Sequence, residues 1–370
     1  MRTPARGASP PVVASSFDRP LLQAGDRVAV TGAAGFIGSA IVRQLLARGA
    51  RVLALVEPGG DETNLEGLDV DRRVLDIRDR DGAHAALVGC RFTFHVAALY
   101  GFWAKDPETF YDVNVGGSRN VIEAAVAAGC EGIVYTSTVG TIGLGGTADG
   151  TPADERDYAD IEHLFGLYKR SKYVAEHEVL RAAAEGAPVT LVHPTFPVGP
   201  GDRRPTPTGK VVLDYLNGKM PAFVETSMNV VHVDDLARCH VLALERGRRG
   251  RSYIGGGENV SMQRLLGLLA SITGLPEPRH RVPKSVALAA AFASEHVQGG
   301  LLHRAPTVPL EGARMSTTNM VFDDSRAREE LGYTSRPARA ALADSARWFV
   351  EHGYVTPAKV AAIHWDEPGR

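Results

Sequence analysis

Along the chain, short apolar runs alternate with stretches whose apolar positions recur every three or four residues. Residues 27–31 (RVAVT), 51–56 (RVLALV), 72–77 (RRVLDI), 91–97 (containing FTFHVA), 132–138 (GIVYTST) and 188–194 (PVTLVHP) have the length and β-branched content of buried strands. Between them, residues 36–48, 107–128 and 162–184 carry helical spacing, and Gly49 stops the first. Strands that are apolar almost throughout, separated by helices, predict a parallel sheet covered on both faces. Right-handed crossovers then leave the doubly wound α/β fold as the expected architecture.

Past Pro194 the alternation breaks down. Pro, Gly and Arg punctuate residues 198–209, Gly255 to Gly257 make another break, and 261–274 reads as an isolated helix. The expected organisation is a flexible leader (1–24), a nucleotide-binding domain (25–194, with 232–254 returning to it), a smaller C-terminal substrate lobe (195–231 and 255–350) and a tail (351–370). A length of 370 residues accommodates two such units at ~150 residues each.

Composition narrows the function classes. The chain has 41 basic and 43 acidic residues, a formal net charge of −2, which argues against nucleic acid as a partner. No run approaches the ~18–20 apolar residues of a membrane span, and the leader lacks the apolar stretch of a secretory signal. Cys90, Cys130 and Cys239 are scattered and form no CxxC pair, so they read as reduced residues of a cytoplasmic protein. His232, Asp234, Asp235 and His240 lack the spacing of a ligand set, and no metal is expected.

The first chemical signal closes the first strand: Thr31-Gly32-Ala33-Ala34-Gly35-Phe36-Ile37-Gly38. Glycines here let the backbone turn tightly and approach a pyrophosphate, whose charge meets the amides of a helix N-terminus. Three glycines so spaced arise by chance ~0.5 times in a chain this rich in glycine, so the motif gains its specificity from the strand before and the helix after. Glu57 follows the second strand, where a carboxylate accepts from a ribose 2′-hydroxyl and repels a 2′-phosphate. That favours NAD over NADP; the alternative is that Glu57 faces solvent while Arg51 or another cation serves a 2′-phosphate. The second signal is Tyr168 and Lys172, one helical turn apart on one face. An ammonium near a phenol lowers its pKa and makes it usable as a general acid or base.

The order TGAAGFIG, LDIRD, FHVAA, VNVGGSRN, YTST, YKRSK and VHVDD resembles the extended short-chain dehydrogenase/reductase superfamily over nearly all of residues 27–349. Within it, DGTPADE, PTPTGK, LNGKMPAFV and the ARE-ELGY region are similar to hopanoid-associated sugar epimerases and dihydroflavonol-reductase-like enzymes. The resemblance implies that Tyr168 moves the proton, that Lys172 also holds the nicotinamide ribose, and that Thr138, with Ser137 as the fallback, hydrogen-bonds the reacting oxygen. It places Asn114 beside these catalytic residues. It assigns Asp76 and Ile77 to the adenine, and Val96, Ala97, Ala98 and Pro194 to the cofactor wall together with Gly32, Gly35, Phe36, Ile37 and Gly38. A homodimer through helices 107–128 and 162–184 is implied as well.

Two departures from the family pattern bear on function. Glu57 stands where the similar group usually has Arg. Phe196 and Met228 stand where nucleotide-sugar epimerases have an Asn and an Arg to grip a sugar diphosphate, and neither makes a charge-assisted bond. Phe102, Trp103, Phe165 and Phe196 are candidates for a less charged pocket. The leading expectation is an NAD-dependent oxidoreductase working on a secondary alcohol or ketone of a small, sugar-like or moderately apolar substrate. An NAD-retaining epimerase is the alternative, and a non-catalytic dinucleotide sensor is the alternative of another class.

Overall fold

The computed structural model describes residues 21–101, 106–143, 151–294, 314 and 317–366. The leader up to residue 20, Phe102, Trp103 and the opening Asp149-Gly150 of DGTPADE lie outside the described residues.

Seven parallel strands form the main sheet: β1 (Arg27–Thr31), β2 (Arg51–Val56), β3 (Asp71–Val74), β4 (Phe92–His95), β5 (Gly132–Thr136), β6 (Val189–Pro194) and β10 (Ser252–Gly255). Their order is β10-β6-β5-β4-β1-β2-β3, a doubly wound sheet. Burial alternates by side-chain direction. Val28 and Val30 face a core built with α1 (Phe36–Leu46) and α7 (Val233–Arg246). Ala29, Leu53 and Leu55 face a second core built with α2 (Arg80–Leu87), α4 (Ser118–Ala127) and α5 (Leu167–Ala184). Edge strand β3 is exposed along its length and carries Asp71, Arg72 and Arg73, charges that keep an open edge from pairing with another chain.

The strand expected over 72–77 ends at Val74; Leu75 makes the last inter-strand hydrogen bond, to Val56 O at 2.8 Å, before the chain leaves the sheet. The helix expected over 107–128 is composite. A short α3 (Thr109–Tyr111) runs through a π-turn (Asp112–Gly117) into α4. Such a turn adds a residue per helical repeat and rotates the rest of the helix; it buries Asn114. The helix expected from 162 begins at Leu167, after Gly166 at φ 89°, a conformation that costs little only for glycine.

The lobe holds a three-stranded sheet, β11 (Glu258–Ser261), β9 (Ser227–His232) and β7 (Phe196–Val198), and a two-stranded ribbon of β8 (Ala222–Phe223) with β12 (His280–Arg281). α6 (Pro207–Leu216), α8 (Met262–Thr273) and α11 (Ala338–Glu351) enclose its core, around Val212, Leu265, Leu269, Leu342 and Phe349. The exposed α9 (Lys284–Ser294) and, against α7, α10 (Ser325–Leu331) complete the outer layer with α12 (Pro357–Val360). Beyond Glu351 the chain stays on the lobe: Tyr354, Val355, Ile363 and Trp365 pack against the same core. The sequence from 232 returns to the main sheet as α7 and β10, with Tyr253 beside Val192 of β6.

His232 caps α7 by accepting from Asp234 N at 3.0 Å, and Asp235 takes three hydrogen bonds from Arg336. These residues are committed to structure. His240 bridges Leu236 O and Thr136 Oγ1 at 2.8 and 3.0 Å inside the core. Burial depresses it to about 4, and burial with Lys172 nearby depresses His95 to about 3. Unfolded, both histidines take up protons below about pH 6.5; folded, they do not. Stability is therefore full above the unfolded value and falls on acidification, by up to about 1.4 kcal/mol per pH unit per histidine. Urea unfolding at about pH 7.5 and pH 5.5 checks this, and the slope should shrink in His240→Gln. A wild-type stability that does not fall over that interval contradicts it.

Candidate active site

The C-terminal ends of the main-sheet strands, where a doubly wound sheet gathers its ligands, open into a cavity of about 1180 Å³ continuous with the lobe. That exceeds the usual small-ligand pocket and leaves room for a dinucleotide beside a second molecule. One end is walled by the turn after β1. Gly32 has φ 63°, and a Cβ there would lie 2.9 Å from the Ala97 backbone. A Cβ on Gly38 would overlap Gly32 O, so α1 can start this close to the turn only without a side chain. Gly35 stands at the N-cap with no side-chain cap, leaving the first-turn amides of Phe36 and Ile37 toward the cavity. This uncapped, side-chain-free cradle fits the diphosphate of a dinucleotide.

The floor is fixed by a chain of hydrogen bonds. Thr31 Oγ1 accepts from the amides of Val96 and Ala97 at 3.1 Å, so its proton goes to His95 Nδ1 at 2.8 Å. His95 Nε2–H then donates to Ser118 Oγ at 3.0 Å. His95 is thus a neutral strut from β1 to α4, and Val96, Ala97 and Ala98 lie along the cavity. Asp76 and Ile77 line the same end. The Asp76 carboxyl is held down chiefly by hydrogen bonds from the Arg78 side chain, at 2.6–3.1 Å. Glu57 is on the rim, two-thirds exposed, and pairs at 2.9 Å with Arg204 from the loop after β7.

At the centre stand Tyr168, Lys172, Thr138 and Pro194, all on the cavity wall. Tyr168 lies in the first turn of α5 with its ring 4.8 Å from that of Tyr100. Lys172 is 2% exposed; its ammonium donates to Tyr135 Oη and Thr136 O, both at 2.8 Å, and lies 4.4 Å from the Tyr135 ring centre. Burial pulls Lys172 down to about 7 against the opposing charge of Glu176. Thr138 Oγ1 accepts from Gly140 N at 3.1 Å. Ser137, the fallback, has turned its hydroxyl to Glu176.

Asn114, expected beside the catalytic groups, stands behind the wall. It accepts from Leu99 N at 2.8 Å and donates to Leu99 O and to Ser171 Oγ at 3.1 and 2.9 Å. Ser171 in turn donates to Tyr168 O at 2.9 Å. The amide thus ties the segment after β4 to the turn of α5 that carries Tyr168, because the π-turn aims it there. Phe165 stands 46% exposed with the Arg314 guanidinium over its ring, whereas Phe196 and Met228 do line the cavity.

The sequence motifs do not single out Tyr135, Tyr100, Glu176 or Arg204. Glu176 was within reach, one turn beyond Lys172 on the same helix face. Arg204 was not, since only the folded lobe brings it to Glu57.

The family model described as "NAD dependent epimerase/dehydratase family" matches residues 28–256. The chain belongs to this family. It is an enzyme of the extended short-chain dehydrogenase/reductase type. A protein of Synechocystis sp. named "Putative dihydroflavonol 4-reductase" is 45% identical over 88% of this chain and 95% of its own length. Sterol demethylase protein B of Methylococcus capsulatus is 35% identical over 88% and 99%. Among solved structures, gox2253 superposes with a TM-score of 0.80 at 44% identity, covering 90% of this chain and 100% of its own.

In this family member the glycine cradle gives a direct test. Gly38→Ala should cost about 1–3 kcal/mol of stability through the clash with Gly32 O and weaken NADH binding. Thermal unfolding and fluorescence titration read both, and a variant that keeps wild-type stability and affinity contradicts this packing.

Proposed function

We propose that this protein is an NAD(H)-dependent oxidoreductase acting on a secondary alcohol or ketone of a small, uncharged, moderately apolar molecule. The observation that carries the reading is the wall at the lobe end of the cavity. Phe196 and Met228 stand there with Met262, Met320 and Phe322, and among the described residues this wall offers no charge to hold a sugar diphosphate. The cations of the nearby loop are used elsewhere: Arg203 lies 3.5 Å from Asp61, and Arg204 pairs with Glu57. Relatives named for a dihydroflavonol and for a sterol, uncharged ring systems rather than sugar diphosphates, support the same substrate class.

When bound, the nicotinamide supplies or accepts the hydride. The chain's own groups handle the oxygen. The Tyr168 hydroxyl gives its proton to the carbonyl oxygen in reduction and takes it back in oxidation. The Thr138 hydroxyl donates to that oxygen and orients it. Lys172, anchored by Tyr135 and the Thr136 carbonyl, presents its charge to the same wall and favours the phenolate. Asn114 positions Tyr168 through Ser171 and touches no reactant. The cradle amides of Phe36 and Ile37 meet the diphosphate, and Asp76 and Ile77 bound the adenine.

Glu57 supports NAD through the acceptor its carboxylate offers a ribose 2′-hydroxyl, which it shares with its exposed partner Arg204. Action on small molecules as a homodimer through α4 and α5 fits the same reading, and three buried, unpaired cysteines support a reducing, cytoplasmic setting.

Turnover is tested by incubating the protein with NADH and, separately, a dihydroflavonol, a 3-oxosteroid and UDP-glucose. Reduction of an apolar ketone, lost by about 100-fold or more in Tyr168→Phe with NADH affinity retained, is the expected result. Action on UDP-glucose alone, or undiminished turnover in the variant, overturns it. Titrating NADH and NADPH by fluorescence should show tighter NADH binding, and Glu57→Gln should narrow the gap; equal or tighter NADPH binding in the wild type removes the assignment.

A further inference from the structure

Behind Lys172, in the seam between α5 and strands β5 and β6, lies a carboxylate that the proposed reaction does not use. Glu176 is fully buried. It accepts from the hydroxyls of Ser137 and Thr141, the latter at 2.6 Å, and from His193 Nε2, which lies 3.1 Å from both of its oxygens. Those donors sit at three places. Ser137 directly follows β5, Thr141 closes the single-turn helix Val139–Thr141, and His193 is the penultimate residue of β6. Thr138 lies between Ser137 and that single turn, so the carboxylate fixes the stretch of wall that carries the Thr138 hydroxyl.

Glu176 is also one helical turn from Lys172 and two from Tyr168, on the same face of α5. We propose that Glu176 is a positioning residue of the active site, fastening the Thr138 wall to α5 and serving as the buried counter-charge of Lys172. The role builds on the proposed oxidoreductase function but is read from the lysine itself, so the two fail separately.

A carboxylate in this seam is costly unless it is paired and hydrogen-bonded. Burial pushes Glu176 up, and the charge of His193 and the donors from His193, Ser137 and Thr141 more than reverse it, to about 2. Those donors favour its ionised form. The groups facing it and Lys172 come from every packed element: Tyr135 from β5, His95 from β4, His193 from β6, Tyr158 from the loop before α5, and Tyr168 on α5 itself. Beyond His193 come Glu155, whose carboxyl is raised by burial, and its partner Arg326 at 3.4 Å. Among these, Glu176 is the anion that raises Lys172. A purely structural carboxylate would hold the seam together without setting the charge of Lys172.

The chain has seven lysines, few enough to follow one by one. Full-length protein labelled at lysine Cε and Nζ is titrated by NMR, with Lys172 assigned from Lys172→Arg. In Glu176→Gln the Lys172 midpoint should fall by about one pH unit, a tenfold shift in its protonation equilibrium, and Glu176→Asp should restore most of it. A folded Glu176→Gln whose midpoint moves by less than about 0.3 unit overturns the proposal. Should that variant not fold, Glu176→Asp decides in its place: a Lys172 midpoint about 0.3 unit or more below the wild type, as the shorter side chain draws the charge away, supports the counter-charge, and a smaller fall or a rise overturns it.

Discussion

A lysine enclosed to 2% exposure, its pKa drawn down to about 7 by burial, is the constraint from which the centre of this molecule is built. Such a charge survives burial only where donors are matched by acceptors. Tyr135 and the Thr136 carbonyl supply them from the end of β5. That requirement fixes the height at which α5 crosses the sheet. With it come the position of Tyr168 four residues earlier and the distance from the helix to the wall bearing Thr138.

In the same seam, apolar packing and polar contacts divide their tasks. The sheet is apolar on both faces and would accept a helix at many registers by packing alone. Polar side chains select one. Asn114 ties the segment after β4 to Ser171, His95 ties β1 to α4, and His240 ties α7 to Thr136. Each is buried, and each makes these hydrogen bonds between elements rather than within one. Specific register, more than raw stability, is what these contacts supply.

The glycine-turn end of the cavity was legible as structure in the sequence, because strand, glycine turn and helix are contiguous and their spacing is set by local backbone geometry. Gly32, Gly35 and Gly38 needed no tertiary information. Tyr168 and Lys172 were legible for the same reason, as neighbours on one helical face. Asn114 was legible as a buried, satisfied amide near the site, but its partners Leu99 and Ser171 were not, because the π-turn that carries it leaves no mark in hydrophobic spacing. The lobe was read least well. Its strands β7, β8, β11 and β12 are two to four residues long, too short to show a period, and they pair with segments far away in the chain. Arg204 behaves in the same way, meeting a carboxylate 147 residues distant.

The links between the lobe and the sheet are very short. β6 ends at Pro194 and β7 starts at Phe196; β9 ends at His232 and α7 starts at Val233; β10 ends at Gly255 and β11 starts at Glu258. Three such short links tie the described parts of the lobe to the main sheet. Among the described residues the chamber between lobe and sheet is therefore framed by elements tied at three close points, and its shape there is set by packing.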